Sequence, residues 1–371
     1  MNPERQSAQL LEAPAPSAPK GLFRSENSYD LIRLLLAVLV VYSHSFHLGR
    51  YGKDPLEHSV HTQMVLGHLG VLGFFGLSGF LVTASLDRSN GLASFLKKRV
   101  MRIFPGFWCC LAVCAFGFAP AIQMVRAGNL DDFMWTGEHG ALGFVWRNAL
   151  LAMQQLSVGR ILDGLPMTEH GLNGSLWSLL PEFSCYVALA ALGLAGALRG
   201  NRPLLALAAL ALTGFHWIKV VAAGSVSWPT LPPFAFGFQT PFLVAFAVGA
   251  CLYAWREHFE PTAAATALIG LVLAYTLRRG GFLLAGPVLV PLFVVFAGAL
   301  WRCHLRHDFS YGLYIYSFPM QQLLQAAWPG QSWTTFLALS LVFSFALAAG
   351  SWFGVERRFL RGRNPATTAT S

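Results

Sequence analysis

The sequence predicts an all-α integral membrane protein of about ten transmembrane helices with both termini cytoplasmic. Of its 371 residues, 55% are hydrophobic and 12% charged, with a mean hydropathy of +0.51. That balance lies outside the range of soluble domains. Apolar runs near the length of roughly 20 residues that crosses a bilayer recur along the whole chain. The 26 Lys and Arg, against 17 Asp and Glu for a net charge of +9, gather in short clusters between those runs. They therefore report topology and give no sign of nucleic-acid binding.

Residues 1–22 are rich in Ala, Pro, Ser and charge, and their apolar cluster is too short for a signal-peptide core, so a disordered cytoplasmic tail is expected. One membrane domain is expected over 23–360, then a short cytoplasmic tail at 361–371. Spans are expected near 31–49, 64–86, 103–125, 182–198, 203–223, 234–254, 262–277, 281–301, 309–328 and 334–354. Arg88, Lys97, Lys98, Arg99 and Arg102, then Arg199 and Arg202, Arg302 and Arg306, and the arginines from Arg357 onward all fall on one side of such a bundle. That side is cytoplasmic by the positive-inside rule, with Arg278 and Arg279 as the exception. The loops at about 50–63 and 126–181 are then extracytoplasmic. The second carries an apolar stretch, Ala149 to Met153, too short to cross, and it either lies on the surface or folds back into the site. Six cysteines without metal-ligand spacing predict neither disulfides nor a metal.

The first span reads DLIRLLLAVLVVYSHSFHLGR. Arg33 and His44 are eleven residues apart, about three helical turns, so they share a face roughly 16 Å apart along the axis. Ionisable groups inside a membrane are usually functional; the plainer alternative is an anchoring arginine and an outward-snorkelling histidine. Asp30 could pair with Arg33 on that face, and His47 is a second, weaker base. In GVLGFFGLSGFL, Gly70, Gly73, Gly76 and Gly79 form a close-packing seam or, alternatively, a track for a thin ligand such as a pantetheine arm, with Ser78 beside it. In FLKKRVMRIFP, Phe95, Arg99 and Arg102 share one face of a short helix that Pro105 interrupts or bends, and paired arginines at the membrane surface suit phosphate oxygens.

In SLWSLLPEFSCY, Glu182 enters the bilayer at the outer end of its span. It either orients His44 and offsets its protonated form or complements the helix dipole. Ser178 and Tyr186, each four residues from Glu182, share its face and could hydrogen-bond substrate. In SYGLYIYSFP, Tyr311 and Tyr314 share a face, as interfacial belt residues often do. Glu356, among arginines, reads as a surface ion-pair partner.

These five segments, in this order and spanning about 30 to 360, resemble membrane-bound acyltransferase family 3, whose members O-acylate sugars and other extracytoplasmic hydroxyl compounds. The Arg33-x10-His44 element and the Trp177, Ser178, Leu179 and Glu182 element carry most of the likeness. Leu72 stands where the family commonly has aspartate, and Ser317 where it often has histidine. The chain resembles members without an appended soluble esterase-like domain.

The resemblance implies an O-acyltransferase of the bacterial inner membrane. It would move an acyl group, acetyl first, from cytoplasmic acyl-CoA to a carbohydrate or glycolipid hydroxyl outside, with no permanently bound cofactor. His44 and Glu182 would be catalytic, Arg33, Arg99, Arg102 and Ser78 would bind the donor, and Trp177, Ser178, Tyr186 and Tyr311 would contact substrate. A transporter or flippase of a lipid-linked saccharide is the alternative from another class, although no paired halves with broken helices are visible.

Overall fold

A computed structural model describes residues 22, 27–57, 64–198, 200–222 and 236–360. The expected tails lie outside the described residues, apart from Leu22, which is buried and accepts a hydrogen bond at its carbonyl from the Tyr29 hydroxyl. Among the described residues the regular elements are all helical, with no strand. In chain order the helices are α1 (Tyr29–Leu48), α2 (Leu66–Asp87), α3 (Leu92–Val113), α4 (Ala119–Ala127), α5 (Ala141–Asn148), α6 (Leu179–Leu194) and α7 (Arg202–Ala222). They continue with α8 (Phe236–Ala254), α9 (Ala263–Arg279), α10 (Phe282–Leu300), α11 (Ser310–Ala327), α12 (Trp333–Ser351) and α13 (Arg357–Leu360).

Each of the ten apolar runs contains a helix, and seven helical stretches in the described residues are long and apolar enough to cross a membrane. This is a multi-pass helical membrane protein. α8, α9 and α11 fall outside those seven. α11 is polar for a visible reason: Gln321, Gln322 and Gln325 are buried, Gln321 donating to the Val41 carbonyl and Gln322 to that of Pro166. A helix enclosed by protein needs no lipid-compatible surface. α7 and α9 show the opposite, with Leu210, Val221, Leu268 and Leu271 exposed and apolar, as a lipid-facing rim requires.

α3 begins well before the expected span, at Leu92, and runs through a π-helical turn at Cys114–Phe118 into α4. Pro105 lies inside this helix and does not end it, so the short surface helix expected for FLKKRVMRIFP is the first half of one long helix.

α2 is the central post. A Cβ at Gly79 would lie 2.0 Å from the Phe246 carbonyl oxygen, and one at Gly249 of α8 equally close to that of Gly76. Gly76 also abuts Pro291 of α10, while Gly70 and Gly73 abut Val40 and Leu36 of α1. The glycine seam is therefore filled by neighbouring helices, which leaves no room along it for a ligand.

The 126–181 segment folds back onto the bundle. Asn148 organises it by donating to the Gln155 carbonyl and accepting from the Gln154 and Gln155 amides. Asn173 donates to the Ile315 carbonyl in the second turn of α11, at 2.7 Å. Gly174 packs so closely against Phe318 that any side chain would collide with the ring.

Candidate active site

Helices α1, α2, α3, α6 and α11 enclose a cavity of about 130 Å³. Arg33, Arg99 and Arg102 line one part of it. Val71, Phe74 and Ser78 of α2, Ser178, Glu182 and Tyr186 at the start of α6, and Tyr311 and Tyr314 of α11 line the rest. Eight of the ten residues singled out in the sequence thus meet in one place; His44 and Trp177 do not.

Arg33 does not pair with Asp30, which instead faces His304 at 3.7 Å. It pairs with Asp308, in the connection before α11: Arg33 Nη1 and Arg102 Nη2 both donate to Asp308 Oδ2, each at 2.5 Å. The other carboxylate oxygen, Oδ1, accepts from the Ser310 amide at 3.1 Å and from the Ser310 hydroxyl. Burial pushes the Asp308 carboxyl up, but the guanidiniums of Arg33 and Arg102 outweigh it and hold the group below the usual carboxylate range. It is ionised at neutral pH. Arg99 donates to Ser85 Oγ at 3.3 Å and stands over the Tyr186 ring.

Glu182 Oε1 accepts from Ser78 Oγ at 2.8 Å and from the Tyr186 hydroxyl at 2.5 Å. No contact with His44 accompanies these. The separation follows from register along α2: Ser78 lies beside Glu182, whereas Gly67, the residue of α2 next to His44, is eleven residues away, about 16 Å. Of the two roles the sequence offers Glu182, contact with His44 is therefore absent here, and its carboxylate serves Ser78 and Tyr186 instead. Ser178 Oγ bonds the Tyr314 hydroxyl at 2.7 Å. The Tyr311 hydroxyl donates to the Ile103 carbonyl, its ring fitting beside Gly106, where a Cβ would come within 2.7 Å. Trp177 is not part of the lining; its ring packs at a tilt on Phe242, 5.3 Å between centroids.

His44 lies beyond the cavity, further along α1. Its ring packs edge-on against Phe318 of α11, 5.2 Å between centroids, and its buried Nδ1 has no hydrogen-bond partner. His47, His68 and His170 lie within Coulombic range, and His47 itself pairs with Glu57 at 2.8 Å. The cavity lining ends at Val71 and Tyr314, each four residues from the neighbours of His44, Gly67 and Phe318. Along α2 and α11 the lining thus stops about one helical turn, roughly 6 Å of rise, short of the residues that touch His44.

Sequence reasoning gives two of these groups, Asp308 and His68, no role, and places a third, Glu356, wrongly. Asp308 has no helical-face neighbour among the quoted motifs that would mark it, since its partner Arg33 is far away in sequence. Glu356, expected as a surface partner, is 3% exposed because a π-helical turn at Trp352–Glu356 turns it inward, where it accepts from Ser351 Oγ at 2.8 Å. His68, an imidazole in the first turn of an otherwise apolar helix, was the available signal for the histidine cluster.

An acyltransferase domain family model matches residues 26–353. Among curated proteins, an O-acetyl transferase of Shigella phage Sf6 is 26% identical over 347 residues, covering 91% of this chain and 97% of its own length. Nodulation protein 10 of Rhizobium leguminosarum bv. viciae is 29% identical over 369 residues, covering 91% of this chain and 94% of its own length. No solved structure matches the chain.

Proposed function

The chain belongs to acyltransferase family 3 and is an acyltransferase, and from that premise we propose that it moves an acetyl group from cytoplasmic acetyl-CoA to a hydroxyl of an extracytoplasmic carbohydrate or glycoconjugate. The observation that carries the proposal is one path: an arginine-lined cavity that ends a single helical turn short of the residues that touch a buried imidazole.

In this reading ten helices span the bacterial inner membrane with both termini inside, so that Arg33 is on the donor side and His44 on the acceptor side. Arg33, Arg99 and Arg102 hold the donor phosphates. The pantetheine arm lies along Val71, Phe74 and Ser78, the open face of α2, and not along its glycines. His44 takes the proton of the acceptor hydroxyl as that oxygen adds to the thioester carbonyl. The C–O bond forms, the C–S bond breaks, and the proton passes to the departing CoA sulfur. Glu182, held by Ser78 and Tyr186, shapes the cavity wall, and Ser178 and Tyr311 complete it.

The test is mass spectrometry of surface glycans from cells with and without the gene, with radiolabelled acetyl-CoA supplied to the purified protein. An acetyl mass difference on a glycan and label transferred to it are expected. Identical glycans and no transfer would end the proposal.

A further inference from the structure

We propose that Asp308 is a positioning residue for the acyl donor: fixed by the first turn of α11, it holds Arg33 and Arg102 from behind as a preformed clamp for the donor phosphates. The inference rests on the reading of the cavity as an acyl-CoA site.

Three observations carry it. Both guanidiniums donate to the same carboxylate oxygen, so the two nitrogens lie within about 5 Å of each other, a separation at which unshielded cations repel. Asp308 offsets that repulsion. The carboxylate cannot swing away, because its other oxygen is engaged by the Ser310 amide and hydroxyl, and its side chain is only 12% exposed. Finally, Arg33, Arg102 and Ser310 line the cavity whereas Asp308 does not. Each arginine gives Asp308 one of its five N–H donors, which leaves the others for a ligand.

A carboxylate behind two arginines differs from one lying in the anion site. The first orders the donors before the ligand arrives and lowers the cost of binding; the second competes with the ligand. The two alternatives give opposite signs on neutralisation.

The experiment measures binding of radiolabelled acetyl-CoA to purified protein in lipid nanodiscs, for wild type, Asp308→Asn and Asp308→Glu, across a salt series. For Asp308→Asn we expect a dissociation constant raised about tenfold or more, with a flatter salt dependence as the two arginines lose their shared geometry. Asp308→Glu, which keeps the charge, is expected within about threefold of wild type. A merely structural role would lower the melting temperature of both variants alike and leave the salt slope unchanged, and that result overturns the proposal. So does Asp308→Asn binding as well as wild type, or more tightly.

If Asp308→Asn does not accumulate, Ser310→Ala removes one anchor of the carboxylate and keeps its charge. A dissociation constant raised about threefold is then expected, and an unchanged one overturns the proposal. Wild-type protein that binds no acetyl-CoA defeats the acyl-CoA reading and this inference together; wild-type binding with indifferent variants defeats this inference alone.

Discussion

At the Arg33 end of α1 the polar groups hold one another: Arg33 and Arg102 share Asp308, and Ser78 and Tyr186 share Glu182. At the His44 end, about three turns further along the same helix, the imidazole meets a phenyl edge and its Nδ1 has no partner. The first arrangement suits binding, because donors fixed in advance lose little freedom when a multiply charged ligand arrives. The second suits proton transfer, because an imidazole with a ring nitrogen uncommitted to any protein group is free to exchange a proton with a substrate hydroxyl. One helix thus carries a satisfied site and an unsatisfied one, and substitutions at its two ends should separate affinity from turnover.

The largest effect is expected at His44. His44→Ala should lower turnover by about 10²- to 10⁴-fold, the usual contribution of a general base, while acetyl-CoA binding stays at the wild-type level. Arg102→Gln should do the reverse. A lost charged hydrogen bond of about 1.5–3 kcal/mol corresponds to roughly a 10- to 100-fold rise in donor KM, with kcat changed little; a fall in kcat alone would merge the two sites.

Next comes the seam that keeps them in register. Gly79→Ala forces a methyl group against the Phe246 carbonyl oxygen and should destabilise the protein by about 1–3 kcal/mol, measured as a lower melting temperature in detergent. The surviving protein should keep the wild-type donor KM. The smallest effect is expected for Glu182→Gln, since the amide oxygen can still accept from Ser78 and Tyr186. A change of about threefold or less in kcat should accompany an unchanged pH–rate profile, whereas a shifted profile would restore Glu182 as the partner of His44.

Much of this was legible in the sequence for physical reasons. The bilayer demands long apolar runs, and each of the ten runs holds a helix. Helical periodicity placed Ser178, Glu182 and Tyr186 on one face, and Arg99 with Arg102 on another, and both faces line the cavity. Depth was not legible. A start of α6 at the membrane surface would put Glu182 at the depth of His44. In fact the 126–178 segment descends into the bundle, Asn173 reaching the Ile315 carbonyl, so α6 starts deeper than that. Asp308 was hidden because its partner Arg33 is 275 residues away in sequence. Glu356 was hidden because a π-helical turn shifts the register on which a surface position is judged. Local periodicity fixes which residues share a face; only the packing of distant segments fixes what that face meets.

The division of labour along α1 is tested most directly by measuring, in parallel, acetyl-CoA binding and acetyl transfer by His44→Ala and Arg102→Gln in purified, membrane-reconstituted form. The expected result is a crossed pattern in which His44→Ala binds donor as wild type and transfers almost nothing, while Arg102→Gln transfers at a near-normal rate only when donor is raised well above the wild-type KM. Loss of donor binding in His44→Ala, or normal donor affinity in Arg102→Gln, would contradict it.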